Sequence, residues 1–255
     1  MLQSELKLLL DSLHDKYNRF DFIEEDPISI PHGFKKKQDI EISGFFAAIF
    51  AWGQRKTIIN KCNYLFERMD HNPHDFIVNH SKGDLVSFKN FVHRTFNFID
   101  LEYFFTFLKK HYKENDSMES LFYKDLRKED IHVGKALVAF RKAFFEMDHQ
   151  KRTEKHVSSP LSNSACKRIN MYLRWMVRKD KHGVDFGIWN EISPSQLLCP
   201  LDVHVIRISK EFDLLKTDKA NWKTCLELTE KLRKLDSEDP VKYDFALFGY
   251  GVENK

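Results

Sequence analysis

Residues 164–178, SACKRINMYLRWMVR, are the stretch from which the fold is read. Ile169, Leu173 and Met176 recur at helical spacing and make one apolar face. Lys167, Arg174 and Arg178 fall at i, i+7 and i+11 and form a basic stripe on another. The stretch reads as an amphipathic helix that starts near Asn163 or Ser164. The same period extends over 1–17, 39–53, 54–69, 73–80, 84–90, 100–113, 117–123, 131–147, 201–215, 221–234 and 239–249, with Asp39 as a candidate N-cap. Polar, proline- or glycine-bearing connections are expected at EEDPISIPHGF (24–34), 148–163 and 179–200. No segment alternates as a strand would. The expected fold class is all-α.

Composition agrees. Phenylalanine occurs 23 times against nine glycines and seven prolines, an aromatic-rich chain with few turn breakers. At 255 residues it can form one large domain or two small lobes. No uncharged apolar run reaches the roughly 18 residues of a membrane span, and MLQSELKLLLDSL is an amphipathic helix rather than a signal peptide. A cytoplasmic protein is expected. Cys62, Cys166, Cys199 and Cys225 have no CxxC spacing, which argues against zinc or iron–sulfur sites; three read as buried thiols and Cys166 is left open. The net charge is only +3, but residues 151–182 hold nine basic and two acidic residues, so the rest of the chain sums to −4. Such a block is the footprint of a polyanion site or a solvated surface run.

A second stretch raises a sharper question. CPLDVHVIRI (199–208) sets Asp202 and His204 among Leu201, Val203, Val205, Ile206 and Ile208. A buried carboxylate among apolar residues costs several kcal/mol unless paired or used. Asp202 is therefore an N-cap of the following helix, a functional acid, or both.

Taken in order, SPLSNSACKRINMYL followed by PLDVHVIRI resembles the helix–hairpin–helix DNA glycosylase superfamily, the group of endonuclease III and the 8-oxoguanine DNA glycosylases. FAWGQRKTIINK (50–61) is similar to an early segment of that superfamily, and the archaeal 8-oxoguanine glycosylase branch is the nearest analogy. The whole chain also resembles a bacterial family of unknown function. The resemblance implies a two-lobed helical fold with a helix–hairpin–helix element and a cleft, one glycosylase-like unit over 1–255 with approximate lobes 1–38 plus 200–255 and 39–199. It implies a base-excision DNA repair glycosylase with AP-lyase activity, acting on damaged double-stranded DNA as a monomer without metal or cofactor, in the nucleoid. Lys167 would be the nucleophile and Asp202 the essential aspartate. Ser162, Asn163, Ser164, Arg168, Arg174, Arg178 and His204 would contact DNA, and Trp52, Gln54 and Arg55 would line the base pocket or wedge the strands.

The chemistry suits these residue types. A base must be flipped out of its stack before its glycosidic bond can be cut. Cleavage builds positive charge on the sugar, which a carboxylate stabilises. A lysine amine that has lost its proton can attack C1′. Two departures stand beside the resemblance. Leu161-Ser162-Asn163-Ser164-Ala165-Cys166 replaces a glycine-rich hairpin, and Lys167 and Asp202 are 35 positions apart, more than in endonuclease III. Tyr172 and Trp175 are candidate stacking residues, Trp189 and Trp222 read as core, His93 and His32 read as structural, and Lys242, Tyr243 and Asp244 would close the pocket from the C-terminal side. The alternatives are a non-catalytic nucleic-acid-binding module that keeps the fold, and a helical interaction protein in which Lys167 and Asp202 lie far apart.

Overall fold

A computed structural model describes residues 2–254. In chain order its helices are α1 (Gln3–Tyr17), α2 (Phe20–Ile23), α3 (Ser29–His32), α4 (Lys37–Phe50), α5 (Arg55–Glu67), α6 (Pro73–Asn79) and α7 (Phe98–Glu114). They continue with α8 (Ser120–Tyr123), α9 (Gly134–Phe144), α10 (Lys167–Val177), α11 (Val203–Glu211), α12 (Trp222–Arg233) and α13 (Tyr243–Glu253). One small antiparallel hairpin joins β1 (Val92–His93) to β2 (Phe96–Asn97). The protein is all-α, as its periodicity indicates. Among the described residues no helix is long and apolar enough to cross a membrane.

The chain divides into two compact units. One consists of residues 23–124 and 139–157. Its centre is α4, buried from Asp39 to Phe50, with α3, α5 and α6 packed around it. Most of the chain's phenylalanines lie here, and Phe45, Phe46 and Phe50 meet Phe104, Phe105, Phe144, Phe91 and Phe96 in stacked, tilted and edge-to-face contacts. Glu41 is fully buried within this aromatic core. Its carboxylate accepts from the Tyr112 hydroxyl at 2.8 Å, from the Ser117 hydroxyl and from the Met118 amide at 3.1 Å, which offsets its desolvation.

The other unit consists of residues 1–22, 125–138 and 158–255. In it α13 packs against both α1 and α11. Residues 158–199 sit with the two ends of the chain, whereas their position in the sequence groups them with 39–157. The reason is electrostatic: arginines of α10 and the residue after it pair with Asp244 on α13 and Asp239 just before it.

Several boundaries differ from those the period suggests. Helix α10 begins at Lys167, not at Asn163 or Ser164, because Asn163 (φ 55°) and Cys166 (φ 50°) are left-handed and reverse the chain. Lys36, not Asp39, is the N-cap of α4; Asp39 lies in the first turn and accepts from the His74 amide at 2.8 Å, holding α6 against α4. Residues 84–90 form a short 3-10 turn over Asp84–Phe88. The hairpin that follows has strands of two residues, too short for alternation to register.

The tightest approach is between α13 and α1, where a methyl group on Gly249 would come within 2.3 Å of Tyr17 Cγ and 2.7 Å of its Cβ. Gly249→Ala should therefore destabilise the protein by about 1–3 kcal/mol through overpacking. Urea denaturation followed by far-UV circular dichroism checks this, and a midpoint equal to that of the wild type would contradict it.

Candidate functional site

Lys167 and Asp202, 35 residues apart in the chain, meet in the unit that contains both termini. Lys167 is the first residue of α10 and Asp202 the N-cap of α11. The lysine Nζ lies 3.6 Å from Asp202 Oδ2, with the lysine side chain 30% and the aspartate side chain 16% exposed. Asp202 divides its two oxygens between two tasks. Oδ1 accepts from the amides of His204 at 2.9 Å and Val205 at 3.0 Å, capping the helix. Oδ2 faces the amine.

The turn before Lys167 is built locally. Ser159 caps it by accepting from the Leu161 amide, Asn163 donates to the Pro160 carbonyl at 2.9 Å, and the Ser164 hydroxyl accepts from the Cys166 amide at 3.2 Å. The Asn163 carbonyl accepts from the Trp222 amide at 3.1 Å, anchoring the turn to α12. Leu161 is 82% exposed, Ser162 and Asn163 are exposed, and Ser164 is half-buried. No side chain caps the N-terminus of α10.

Behind the pair lies a buried ion network. Arg174 pairs with Asp244 through Nη1 and with Asp185 through Nε at 3.2 Å. Arg178 pairs with Asp180 at 2.8 Å, Asp185 at 3.1 Å and Asp239 at 2.8 Å. Burial pushes the Asp244 carboxyl up to about 6, against the Arg174 guanidinium; the charge of Asp202 adds to the rise and that of Lys167 opposes it. Burial alone would raise Asp180 as well, yet His14, Arg178 and the His182 amide hold it well below the usual carboxylate range. Cys199, whose Sγ lies 4.0 Å from Asp244 Oδ1, is pushed far up by burial and by that carboxylate, and burial raises Cys225 to about 12. All four cysteines, Cys166 included, are buried thiols outside any disulfide.

The basic stripe therefore does not lie on a surface. Arg174 and Arg178 are buried, their charges met by aspartates within the same unit. Arg168 is half-buried. In the phenylalanine-rich unit Arg152 is likewise matched, to Asp100 at 2.8 Å. Tyr172 and Trp175 are fully buried core residues, as is Trp189. His204 donates from Nδ1 to the Gly251 carbonyl at 3.2 Å, and Arg207 reaches the same carbonyl at 2.8 Å.

Trp52, Gln54 and Arg55 belong to the phenylalanine-rich unit. Trp52 is 37% exposed and carries the Arg94 guanidinium 4.5 Å above its ring. Gln54 is an exposed N-cap of α5, and Arg55 lies 3.9 Å from Asp26. Gly53 has φ 109°, and a Cβ there would meet Arg94 Nη1 at 2.9 Å. Arg94 had no motif to mark it; the closeness of β1 to the end of α4, where His93 donates to the Phe50 carbonyl at 2.9 Å, places it there.

One His/Asp cluster among the described residues has metal-like spacing: His14, Asp15 and His182 offer ligand atoms within 4.8 Å of one another. The hydrogen-bond partners of His14 argue against a cation. Its Nε2 lies 3.0 Å from Asn18 Nδ2 and 3.3 Å from Arg178 Nη2. Both groups only donate, the Asn18 amide being oriented by Asp180 at 2.6 Å. The Nε2 side is thereby already engaged, and Nδ1 lies 3.3 Å from Asp15 Oδ1. The residues present do not fit a metal ion.

The family described as "Protein of unknown function (DUF2400)" matches residues 26–253, and the chain belongs to it. No curated protein and no solved structure matches the chain.

Two outcomes follow from the ion network. Arg178→Ala leaves Asp180 and Asp239 without their arginine and Asp185 with Arg174 alone, and should cost about 3–5 kcal/mol in urea denaturation, whereas Lys179→Ala on the surface should stay within about 0.5 kcal/mol. Asp180 has a depressed folded-state pKa. Its stabilisation is thus present above the unfolded value, about 3.9, and is lost as pH falls below it. The stability gap between wild type and Asp180→Asn, measured by urea melts from pH 7 to pH 2, should shrink below about pH 4. A constant gap would contradict this assignment.

Proposed function

We propose that this member of the DUF2400 family is a DNA N-glycosylase with AP-lyase activity that removes a damaged base, an oxidised purine in the first instance, from double-stranded DNA. One observation carries the reading: the lysine and aspartate named by the sequence motifs lie 3.6 Å apart and partly exposed, although separated by 35 residues. A helical scaffold with no use for the pair has no reason to bring these two ends together. The division of labour in Asp202 supports the same reading, since capping by Oδ1 fixes the carboxylate while Oδ2 remains directed at the amine.

The steps balance with the chain's own groups. The neutral Lys167 amine attacks C1′ of the flipped nucleotide. The N-glycosidic bond breaks, and the base leaves with the bonding electrons and takes up a proton. Positive charge on the sugar faces ionised Asp202. Opening of the sugar ring onto O4′, with loss of the amine proton, gives a Schiff base. Removal of a C2′ proton then expels the 3′ phosphate.

Phosphate binding is assigned to the turn and to the start of α10, where no side chain caps the helix and the helix dipole favours an anion. Asn163 and Cys166 take the left-handed conformations that a glycine-rich hairpin would supply, and Ser162 and Asn163 are exposed there. Arg174 and Arg178 have no direct part, being committed to aspartates.

Borohydride trapping tests the proposal on duplexes carrying 8-oxoguanine, uracil, an oxidised pyrimidine or an abasic site. Wild type should form a lesion-dependent covalent adduct. Lys167→Gln should form none, and Asp202→Asn should slow base release about 100-fold or more. Lesion duplexes that yield neither adduct nor free base, with DNA binding intact, would leave a non-catalytic binding module and overturn the proposal.

A further inference from the structure

Asp244 is an acidic side chain that the proposed mechanism does not use, yet it is buried next to the pair that does. It lies in the first turn of α13 and contacts Arg174, two turns along α10 from Lys167. The far end of α13 engages the other reacting group's helix. The Gly251 carbonyl accepts from His204 Nδ1 and Arg207 Nη2 in α11, the helix that Asp202 caps. The fit there is close, for a Cβ on Gly251 would meet His204 Cβ and Ile208 Cγ1 at 3.1 Å each. One helix thus grips the Lys167 helix at its start and the Asp202 helix at its end.

We propose that Asp244 is a positioning residue for the Lys167–Asp202 pair, holding α10 through Arg174 on the same helix that holds α11. The inference deepens the glycosylase reading and takes its chemical meaning from it. The charged and titratable groups around Asp244 include Asp185, which shares the Arg174 guanidinium and also meets Arg178. From α10 they are Arg174 and Lys167, and from the segment before α11 they are Cys199 and Asp202. From α12, Cys225 reaches the Cys199 carbonyl at 3.4 Å. From α1, Lys7 and Asp11 engage Tyr243 and Lys242 instead. Asp244 therefore acts on the pair in two ways, as an anchor for α10 and as a second negative charge within reach of the lysine.

Two variants separate these effects. Asp244→Asn removes the charge and weakens the anchor; Asp244→Glu keeps the charge and displaces the anchor. Lysines are reductively methylated with 13C-formaldehyde, and the Lys167 resonance, identified by its absence in Lys167→Gln, is titrated by NMR without DNA. Borohydride trapping rates are measured on the same variants without methylation, since a dimethylated amine cannot form a Schiff base. In Asp244→Asn the Lys167 midpoint should fall by about one unit, a tenfold rise in neutral amine at fixed pH. Its trapping rate should nevertheless fall about tenfold or more, with duplex affinity within about twofold. Asp244→Glu should keep the wild-type midpoint and also trap slowly.

An unchanged midpoint in Asp244→Asn, or a trapping rate in either variant equal to or above that of the wild type, would overturn the inference. Should Asp244→Asn fail to fold, Asp244→Glu decides by its rate. Should wild type form no adduct on any duplex, the glycosylase reading fails, and the Lys167 midpoint in Asp244→Asn alone decides whether Asp244 is coupled to the pair.

Discussion

The unit that contains both termini depends on keeping two arginines ionised in its interior. A guanidinium taken out of water without partners costs many kcal/mol, so Arg174 and Arg178 can be buried only where carboxylates converge. Asp180, Asp185, Asp239 and Asp244 arrive from the connection after α10 and from the start of α13, and this requirement brings those segments together. Removing either arginine exposes like charges to one another in a poorly screened environment. The network is thus less a source of net stability than a constraint on register: α10 has one place to go.

Four carboxylates around two guanidinium groups leave an excess of negative charge. The excess has to be shared unequally. Burial raises Asp239 and Asp244, while Asp180, at the edge and beside His14 and the His182 amide, stays low. Asp244 is raised by burial and by the charge of Asp202, against the Arg174 guanidinium and Lys167. A buried carboxylate raised to about 6 is thus coupled to the charges of Lys167 and Asp202 through the scaffold.

The fold class was legible because helical periodicity is a local property and few segments break it. What was not legible was pairing across the sequence. Arg174 and Arg178 share a stripe with Lys167, and a stripe of cations reads as a surface unless the distant aspartates that bury it are known; nothing local marks Asp185, Asp239 or Asp244 as their partners. The turn at 159–166 was legible as a turn but not as left-handed at Asn163 and Cys166, since cysteine is an unusual residue for that conformation. Lys167 and Asp202 could be named from their flanking motifs, whereas their 3.6 Å separation joins residues 35 positions apart and is a tertiary property with no local signal.

The fate of the basic block decides how DNA binding has to work if the glycosylase reading is right. A local +7 over residues 151–182 suggests a phosphate track of many contacts. With Arg152, Arg174 and Arg178 committed to aspartates, the exposed remainder is Lys151, Lys155, Lys179 and Lys181, split between the two units. Affinity that came from releasing counterions along such a track would be steeply salt-dependent. A site built on helix-start amides and a short turn makes few ionic contacts and loses little affinity as salt rises. Recognition would then rest on the geometry of one kinked phosphate and one flipped base, which is what an enzyme needs when the lesion, and not the surrounding sequence, is its target.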